Sequence, residues 1–223
     1  MQAEDIKPLE VVRFIQGPAQ TNAYLVGERG GEQAVVIDPS WDGAEILREA
    51  ERRAWRISGM WLTHAHFDHF GGAAALADAS HGLIPVALHH ADQPLWRAQG
   101  GAPFFAVESF DPGPEPTIPL DHGMRLTLGT HTFEVRHTPG HSPGHVIFVE
   151  EQAGVVFCGD LIFQLGIGRF DLPGGDGSVL LKSITDHILV LPDSVRLLPG
   201  HGPETTVGAE RRSNPFLTGS AWE

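Results

Sequence analysis

Cysteine is almost absent from this sequence, which has a single one, Cys158, among 223 residues. One cysteine cannot form an internal disulfide, so the fold must be held together by its apolar core, and the composition suits a reducing compartment. Long apolar runs are also missing, since no stretch of about 18 apolar residues occurs, as a membrane-spanning helix would need. Residues 1–7 have neither the basic start nor the apolar stretch of a signal peptide. We therefore expect a cytoplasmic protein that does not interact with membranes.

Basic residues are scarce as well. The sequence has 15 Lys and Arg against 28 Asp and Glu, which gives a formal net charge of −13 at pH 7. Basic residues form no cluster larger than a pair such as Arg52-Arg53, whereas a protein that binds a phosphate backbone presents a basic surface. We expect no nucleic-acid partner. The charge count omits bound cations, which would reverse the local field around the carboxylates that hold them, so an anionic substrate stays open.

The first half of the chain has the pattern of an α/β fold. Apolar residues make up 41% of the sequence, enough to bury a core, and we expect a single domain over residues 1–223. Apolar strands alternate with amphipathic helices, which is typical of strands paired through helical crossovers. The patterns predict strands at 9–16, 21–27, 33–37, 57–62 and 85–88, and helices at 42–53, 72–79 and 91–98.

The second half predicts a second sheet. Two pairs of apolar runs are separated by short Gly-containing or polar turns, which indicates β-hairpins at 124–137 and 145–158. A helix at 177–189, a strand at 195–198 and a short C-terminal helix complete the chain. Residues 100–119 are rich in Gly and Pro, and we interpret them as a long surface loop that could serve as a lid.

A dense group of polar side chains follows the predicted strand 57–62. His64-x-His66-x-Asp68-His69 places three imidazoles and a carboxylate within six positions. Imidazole nitrogen and carboxylate oxygen are ligands that zinc and iron accept, and a tight loop can direct alternate side chains to two centres. A solvated polar loop would explain any one of these histidines but not the whole cluster. The motif therefore predicts a metal site at the carboxyl end of a buried strand, where open α/β sheets bind ligands.

Three further residues, His141, Asp160 and His201, each follow a glycine just beyond an apolar strand. With them the sequence resembles the metallo-β-lactamase superfamily over nearly its whole length. The resemblance implies an αββα sandwich with the site at one edge. It also implies a binuclear metal site, in which one ion is held by His64, His66 and His141, the second by Asp68, His69 and His201, and both by a bridging Asp160.

The expected chemistry is hydrolysis. Two divalent cations can share a water, lower its pKa and hold a bridging hydroxide in line with a carbonyl carbon, while stabilising a departing thiolate or alkoxide. Asp68 and Asp160 are therefore the predicted catalytic residues, and Asp68 would also orient the nucleophile. Zinc is the expected metal, with iron or manganese as alternatives, because nitrogen and oxygen ligands discriminate weakly among them.

Other polar residues receive different predictions. The resemblance implies that Asp38 accepts a hydrogen bond from a ligating histidine, while a simple turn is the alternative. Cys158 is interpreted as a small buried side chain rather than a nucleophile. The remaining histidines that we expect to lie outside the ligand set are His81, His89, His90, His122, His131, His137, His145 and His187.

The segment 166–176, together with residues 211–216, resembles short, single-domain glyoxalase II, which implies cleavage of the thioester S-lactoylglutathione. In this interpretation Arg169 binds a substrate carboxylate through its planar guanidinium, and an ion pair with Asp171 or Asp176 is the alternative. A flavodiiron protein would have Glu in place of His66. β-Lactamases that share the histidine motif lack the bridging aspartate, so antibiotic hydrolysis is disfavoured.

The sequence also departs from the two-domain type of glyoxalase II. Only 22 residues follow His201 in the 223-residue sequence, so we expect no C-terminal helical domain, and Asp171 stands where that type has Tyr. A different thioester, a small ester or a lactone is therefore an alternative substrate. A second alternative is a glutathione persulfide dioxygenase. In that case the resemblance implies a single iron held by His64, His66 and Asp160. A small-molecule substrate is expected in each case, and no feature predicts an oligomeric state.

Overall fold

The computed structural model describes residues 7–80, 84–107 and 111–221. The first sheet in these ranges has six strands that lie side by side in chain order. Its first three strands pair antiparallel and the remaining ones parallel. They are β1 (Leu9–Gln16), β2 (Thr21–Glu28), β3 (Gln33–Ile37), β4 (Arg56–Trp61), β5 (Val86–His89) and β6 (Ile118–Leu120).

The second sheet contains both predicted hairpins, which are confirmed. Its strands are β7 (Arg125–Leu128), β8 (His131–His137), β9 (Val146–Glu150), β10 (Val155–Gly159), β13 (Arg196–Pro199) and β14 (Thr205–Thr206), in the spatial order β14-β13-β10-β9-β8-β7. Strands β10 and β13 run parallel, so their carboxyl ends reach the same edge of the sheet. A small two-stranded sheet pairs β11 (Ile162–Phe163) with β12 (Gly166–Ile167).

Helices cover the outer face of each sheet. They are α1 (Gly43–Arg52), α2 (Ala73–Ala79), α3 (Gln93–Arg97), α4 (Gly177–His187), α5 (Val207–Ser213) and α6 (Pro215–Thr218). The two longest begin at aspartates whose side chains accept hydrogen bonds from the first turn, Asp42 for α1 and Asp176 for α4. Such caps satisfy backbone N–H groups that have no partner inside the helix. In the described part of the chain no helix is long and apolar enough to cross a membrane.

The layers of the fold arise because successive side chains of each strand point to alternate faces of its sheet. In β2, Leu25 packs into a cluster with Ile46 of α1, whereas its neighbour Val26 packs into a cluster with Phe133 and Phe157 of the second sheet. Successive side chains of a strand point to opposite faces, so one strand contributes to two cores. A third cluster lies between the second sheet and α4 and α5. The order helix, sheet, sheet, helix confirms the αββα sandwich.

The predicted surface loop at 100–119 is partly wrong. Residues Gln99–Phe105 form 3₁₀ turns, Gly100 to Ala102 are buried, and β6 ends the segment as a strand. Gly100 has φ +60°, and a Cβ there would lie 2.4 Å from the backbone nitrogen of Phe67. Glycine at this position therefore allows close packing against the loop after β4. The composition of the segment does not reveal this role. Residues 108–110, and His81 elsewhere in the chain, lie outside the described ranges.

The packing between the sheets predicts the effect of one substitution. Phe133 is fully buried with its ring edge-on to Trp61, at 5.2 Å between centroids. Phe133→Ala should lower the free energy of unfolding by about 3–5 kcal/mol, because it leaves a cavity between the layers. Phe104→Ala is the control: its side chain is 79% exposed, so its cost should stay within about 0.5 kcal/mol. Denaturant unfolding followed by circular dichroism would measure both, and equal costs would contradict the packing described.

Candidate metal centre

The structure brings all seven predicted ligand side chains to one edge of the sandwich. His64, His66, Asp68 and His69 follow β4, where residues Phe67–His69 form a 3₁₀ turn. His141 lies between β8 and β9, Asp160 follows β10, and His201 follows β13. These positions are far apart in sequence and meet because the strands that precede them end at the same edge.

Three imidazoles form the first group. The Nε2 atom of His141 lies 2.8 Å from Nδ1 of His66 and 3.2 Å from Nε2 of His64. Two ligand atoms that share a tetrahedral zinc at about 2.1 Å are separated by roughly 3.4 Å. The nitrogen atoms of the group are thus close to the spacing that a single ion requires.

The second group combines a carboxylate with two imidazoles. Oδ2 of Asp68 lies 3.3 Å from Nε2 of His201 and 3.6 Å from Nε2 of His69. Asp160 lies between the groups, with Oδ1 at 3.4 Å from Nε2 of His69 and Oδ2 at 3.5 Å from Nε2 of both His141 and His201. One carboxylate therefore faces both sets of ligand atoms.

Two atoms at the centre are buried without a hydrogen-bond partner among the described residues: Nε2 of His69 and Oδ1 of Asp160. Leaving a buried polar atom unpaired is costly, and native structures rarely do so without a water or an ion. Nitrogen and carboxylate oxygen are suitable donors for divalent transition metals. The residues present therefore fit divalent metal ions.

The charges at the centre support the same conclusion. Burial alone would raise the pKa of Asp160, but His69 and His201 lower it well below its usual range. Burial likewise opposes the shift of Asp68, whose pKa His69 and His201 lower to about 2. Burial lowers the pKa of His64 well below its usual value, so its imidazole is neutral. Ionised carboxylates and neutral imidazoles are the forms that coordinate metals. Against the effect of burial, Asp160 and Asp68 raise the pKa of His69 well above its usual value and that of His201 to about 10, so a metal ion that binds there displaces a proton from each ring.

Asp38 lies behind the second group. Its Oδ2 is 3.0 Å from Nδ1 of His69, and its carboxylate also accepts hydrogen bonds from the backbone N–H and the hydroxyl of Thr63, both at 2.7 Å. When His69 donates from Nδ1, its Nε2 lone pair faces the centre, as a metal ligand requires. Thr21 supports the other side of the group by donating a hydrogen bond to Oδ2 of Asp68 at 2.8 Å.

Residues 16–201 match the family model described as the metallo-beta-lactamase superfamily, a range that contains every ligand candidate. The chain belongs to the metallo-β-lactamase superfamily. It is therefore a metal-dependent hydrolase of that superfamily, as its resemblance predicted.

Three similar proteins illustrate the range of this superfamily. Hydroxyacylglutathione hydrolase GloC of Haemophilus influenzae is 35% identical, and the match covers 89% of this chain and 93% of GloC. The structure of BLEG-1 B3 metallo-beta-lactamase is 39% identical with a TM-score of 0.87, covering 94% of this chain and all of that one. TTHA1623, solved in a di-iron-bound form, is 43% identical with a TM-score of 0.84, covering 93% of this chain and all of that one.

Asp92 is a buried residue that the sequence did not single out. Its carboxylate accepts hydrogen bonds from the backbone N–H of Ala65 at 3.0 Å, the hydroxyl of Ser142 at 2.7 Å and the N–H of Gly144 at 2.6 Å. It thereby joins the superfamily's histidine loop to the turn that carries His141. In the sequence Asp92 is indistinguishable from an ordinary residue at the start of a predicted helix, because all of its partners are distant or belong to loops.

His145 occupies a supporting position rather than one in a ligand group. It is fully buried, and its Nε2 accepts a hydrogen bond from the backbone N–H of Asp160 at 3.1 Å. Its Nδ1 lies 2.9 Å from the hydroxyl of Thr138. Burial lowers the pKa of His145 well below its usual value, so the ring stays neutral and can accept that hydrogen bond. His145 therefore positions the aspartate that faces both groups.

The other described histidines lie away from this centre. His131 is buried beside Glu150, with 3.1 Å between Nδ1 and Oε1. His89 stacks on His137 at 4.1 Å between ring centroids. His89, His90 and Asp121 form a separate group with close ligand atoms, in which the last two residues are exposed. Cys158 is completely buried, and burial raises the pKa of its thiol, which makes it inert as a nucleophile.

A cavity of about 200 Å³ opens onto the centre. Arg169 lines it and forms a two-pronged ion pair with Asp171, in which both hydrogen bonds measure 2.8 Å. The backbone carbonyl of Arg169 accepts a hydrogen bond from Nδ1 of His141 at 2.7 Å, so this residue also orients a ligand candidate. The residues around the cavity are Ala19, His66, Phe67, Asp68, Phe105, His141, Asp160, Arg169, Leu172 and His201.

Replacing Asp92 tests its supporting role. Asp92→Asn would turn an amide N–H₂ towards hydrogen-bond donors, leaving at least one buried donor unpaired. The free energy of unfolding should fall by about 1–3 kcal/mol, and metal affinity by roughly 10- to 100-fold, as for other residues that hold ligands in place. Denaturant unfolding and metal titration would measure the two effects. Asp78→Asn, on the exposed side of α2, is the control, and equal behaviour of both variants would refute the role.

Proposed function

We propose that this protein is a binuclear metal-dependent thioesterase that acts on a small thioester such as S-lactoylglutathione. The observation that carries the proposal is the position of Asp160, whose two oxygens face His69 on one side and His141 and His201 on the other. We propose His64, His66 and His141 as ligands of one ion, Asp68, His69 and His201 as ligands of the second, and Asp160 as the bridge. Zinc is the proposed metal, with iron or manganese as alternatives.

Bound divalent cations would supply an acidified water and a polarised thioester carbonyl. The chain supplies the positions of these reactants. Oδ2 of Asp68, held by the Thr21 hydroxyl, lies at the cavity and would accept a hydrogen bond from the attacking water. Asp38 keeps His69 oriented through Nδ1, so that its other nitrogen stays directed at the centre. Cys158 is sealed in the core, so an acyl-cysteine route is not supported.

The size of the cavity bears on the substrate. Pockets that enclose a drug-sized ligand measure about 300–1,000 Å³, whereas this cavity measures about 200 Å³. It can hold the acyl group and the scissile bond, while most of a glutathione molecule would lie outside. We propose that Arg169 binds a carboxylate of that outer part, for which it must exchange its partner Asp171.

The decisive experiment is turnover of S-lactoylglutathione by metal-reconstituted protein, followed as loss of thioester absorbance. The wild-type protein should hydrolyse the thioester. Asp160→Ala should abolish turnover and lower metal content, because it removes the carboxylate shared by both groups. Asp78→Ala is the control and should retain activity and metal. Full activity and full metal content in Asp160→Ala would contradict the proposed site.

Two other outcomes lead to different functions. Oxygen uptake with glutathione persulfide by iron-loaded protein, without thioester turnover, would indicate the dioxygenase alternative. The similar BLEG-1 is named a β-lactamase, so a β-lactam belongs among the test substrates. Its hydrolysis at a rate above that of the thioester would replace the proposed substrate class.

The role of Arg169 can be tested with two substitutions that act in opposite directions. Arg169→Gln should raise KM for S-lactoylglutathione roughly 10- to 100-fold at similar kcat, since a charged hydrogen bond contributes about 1.5–3 kcal/mol. Asp171→Asn should lower KM, because it frees the guanidinium from its ion pair. Steady-state kinetics would measure both variants. An unchanged KM in both would leave Arg169 with a purely structural ion pair.

A further inference from the structure

We propose that Phe67 and Phe105 form an apolar subsite beside the metal centre, and that among thioesters the protein prefers those with an apolar, preferably aromatic, group next to the scissile bond. The inference rests on the proposed hydrolysis for its reaction, but its evidence is separate. It concerns the wall of the cavity rather than the ligands.

The two phenyl rings occupy the cavity wall directly beside ligand candidates. Phe67 lies between His66 and Asp68 in the loop after β4, and both Phe67 and Phe105 line the cavity. Their ring centroids are 5.3 Å apart with an angle of 39° between the planes. Leu172 and Ala19 extend the apolar lining. A substrate group bound next to the scissile bond would therefore contact aromatic carbon.

Backbone contacts on both sides constrain the position of this wall. Gly100 packs so closely against the backbone of Phe67 that a Cβ would have no room. The chain then turns through Ala102, whose carbonyl accepts a hydrogen bond from Val107 N–H at 3.2 Å, which returns Phe105 towards the cavity. The guanidinium carbon of Arg169 lies 6.0 Å from the centroid of the Phe105 ring.

Exposure and charge favour an apolar occupant. Phe105 is 45% exposed, so part of its ring remains to be covered by a ligand. Burying apolar surface is favourable at about 25 cal/mol per Å². Among the described residues around the cavity, Arg169 is the one Lys or Arg side chain, and Asp171 already neutralises it. The carboxylates of Asp68 and Asp160 that also line the cavity belong to the ligand groups, so the wall formed by Phe67 and Phe105 offers a bound group apolar contacts rather than a free cation.

Three neutral thioesters separate apolar recognition from charge: S-ethyl thioacetate, S-benzyl thioacetate and S-ethyl phenylthioacetate. The last two place a phenyl group on the thiol side and on the acyl side of the scissile bond. For the wild-type protein, kcat/KM should be at least roughly tenfold higher for one of the phenyl compounds than for S-ethyl thioacetate. Ratios near one for both compounds would overturn the proposal.

Substitution of Phe105 then tests whether the cavity wall causes the preference for phenyl compounds. Phe105→Ala should reduce the phenyl preference roughly two- to tenfold, as expected for loss of an aromatic contact, whereas Phe105→Leu should retain part of it. Phe104→Ala is the matched control, because this neighbour is 79% exposed and does not line the cavity. Intrinsic reactivity cancels when the ratio is compared between variants. An equal ratio in Phe105→Ala and Phe104→Ala would overturn the subsite.

Failure of the proposed hydrolysis is distinguishable from failure of the subsite. If metal-loaded protein hydrolyses none of these thioesters or S-lactoylglutathione, the thioesterase proposal fails. Calorimetric binding of S-benzyl thioacetate to the same protein then decides the subsite. Binding that weakens at least about twofold in Phe105→Ala but not in Phe104→Ala supports it, and the absence of binding, or equal affinity in both variants, overturns it.

Discussion

The hydrogen bonds that Asp38 and Asp92 accept from the loop after β4 are the constraint on which the centre depends. Asp38 binds Thr63 and His69, and Asp92 binds the backbone of Ala65. The ligand atoms must all point into one small volume, and apolar packing alone does not orient polar side chains in this way. Asp38 holds both ends of the loop, and Asp92 holds the backbone between them, so that the imidazole nitrogens face the centre.

The sandwich supplies the rigid support that these carboxylates need. Three separate apolar clusters bind each sheet to its helices and to the other sheet, so the strand ends at the site edge stay in register. Asp160 and His201 come from strand ends brought together by the parallel pairing of β10 with β13. Buried neutral His145 then links Asp160 to the same sheet. Apolar packing, strand pairing and the hydrogen bond to His145 thus all contribute to the position of the Asp160 carboxylate.

The reaction and the specificity arise from different parts of the molecule. The ligand candidates follow strands of the sandwich, which accounts for chemistry shared across a superfamily. The cavity wall comes from the 3₁₀ turns at Gln99–Phe105 and from the segment that carries Arg169 and Leu172. Such segments vary more freely than strands, and substrate choice usually depends on them. This division explains how proteins named for thioester and for β-lactam hydrolysis can both resemble this chain so closely.

The resemblance to the metallo-β-lactamase superfamily implied the layers and the ligand candidates His141, Asp160 and His201. The residue pattern by itself determined both hairpins and the four ligand candidates on the loop after β4. These features are local: strand alternation has a period of two residues, and the His-x-His-x-Asp-His spacing lies on one loop. The sequence did not reveal the contacts of Asp92, the hydrogen bond between His145 and Asp160 or the place of Phe105 at the cavity, because each depends on partners in other loops or strands. Gly100 was assigned to a surface loop because glycine is also common in flexible loops. Arg169 fitted two interpretations in sequence, and only the structure showed its pairing with Asp171. Tertiary structure decided these cases because a hydrogen bond or a close contact between distant segments leaves no periodic trace in either one.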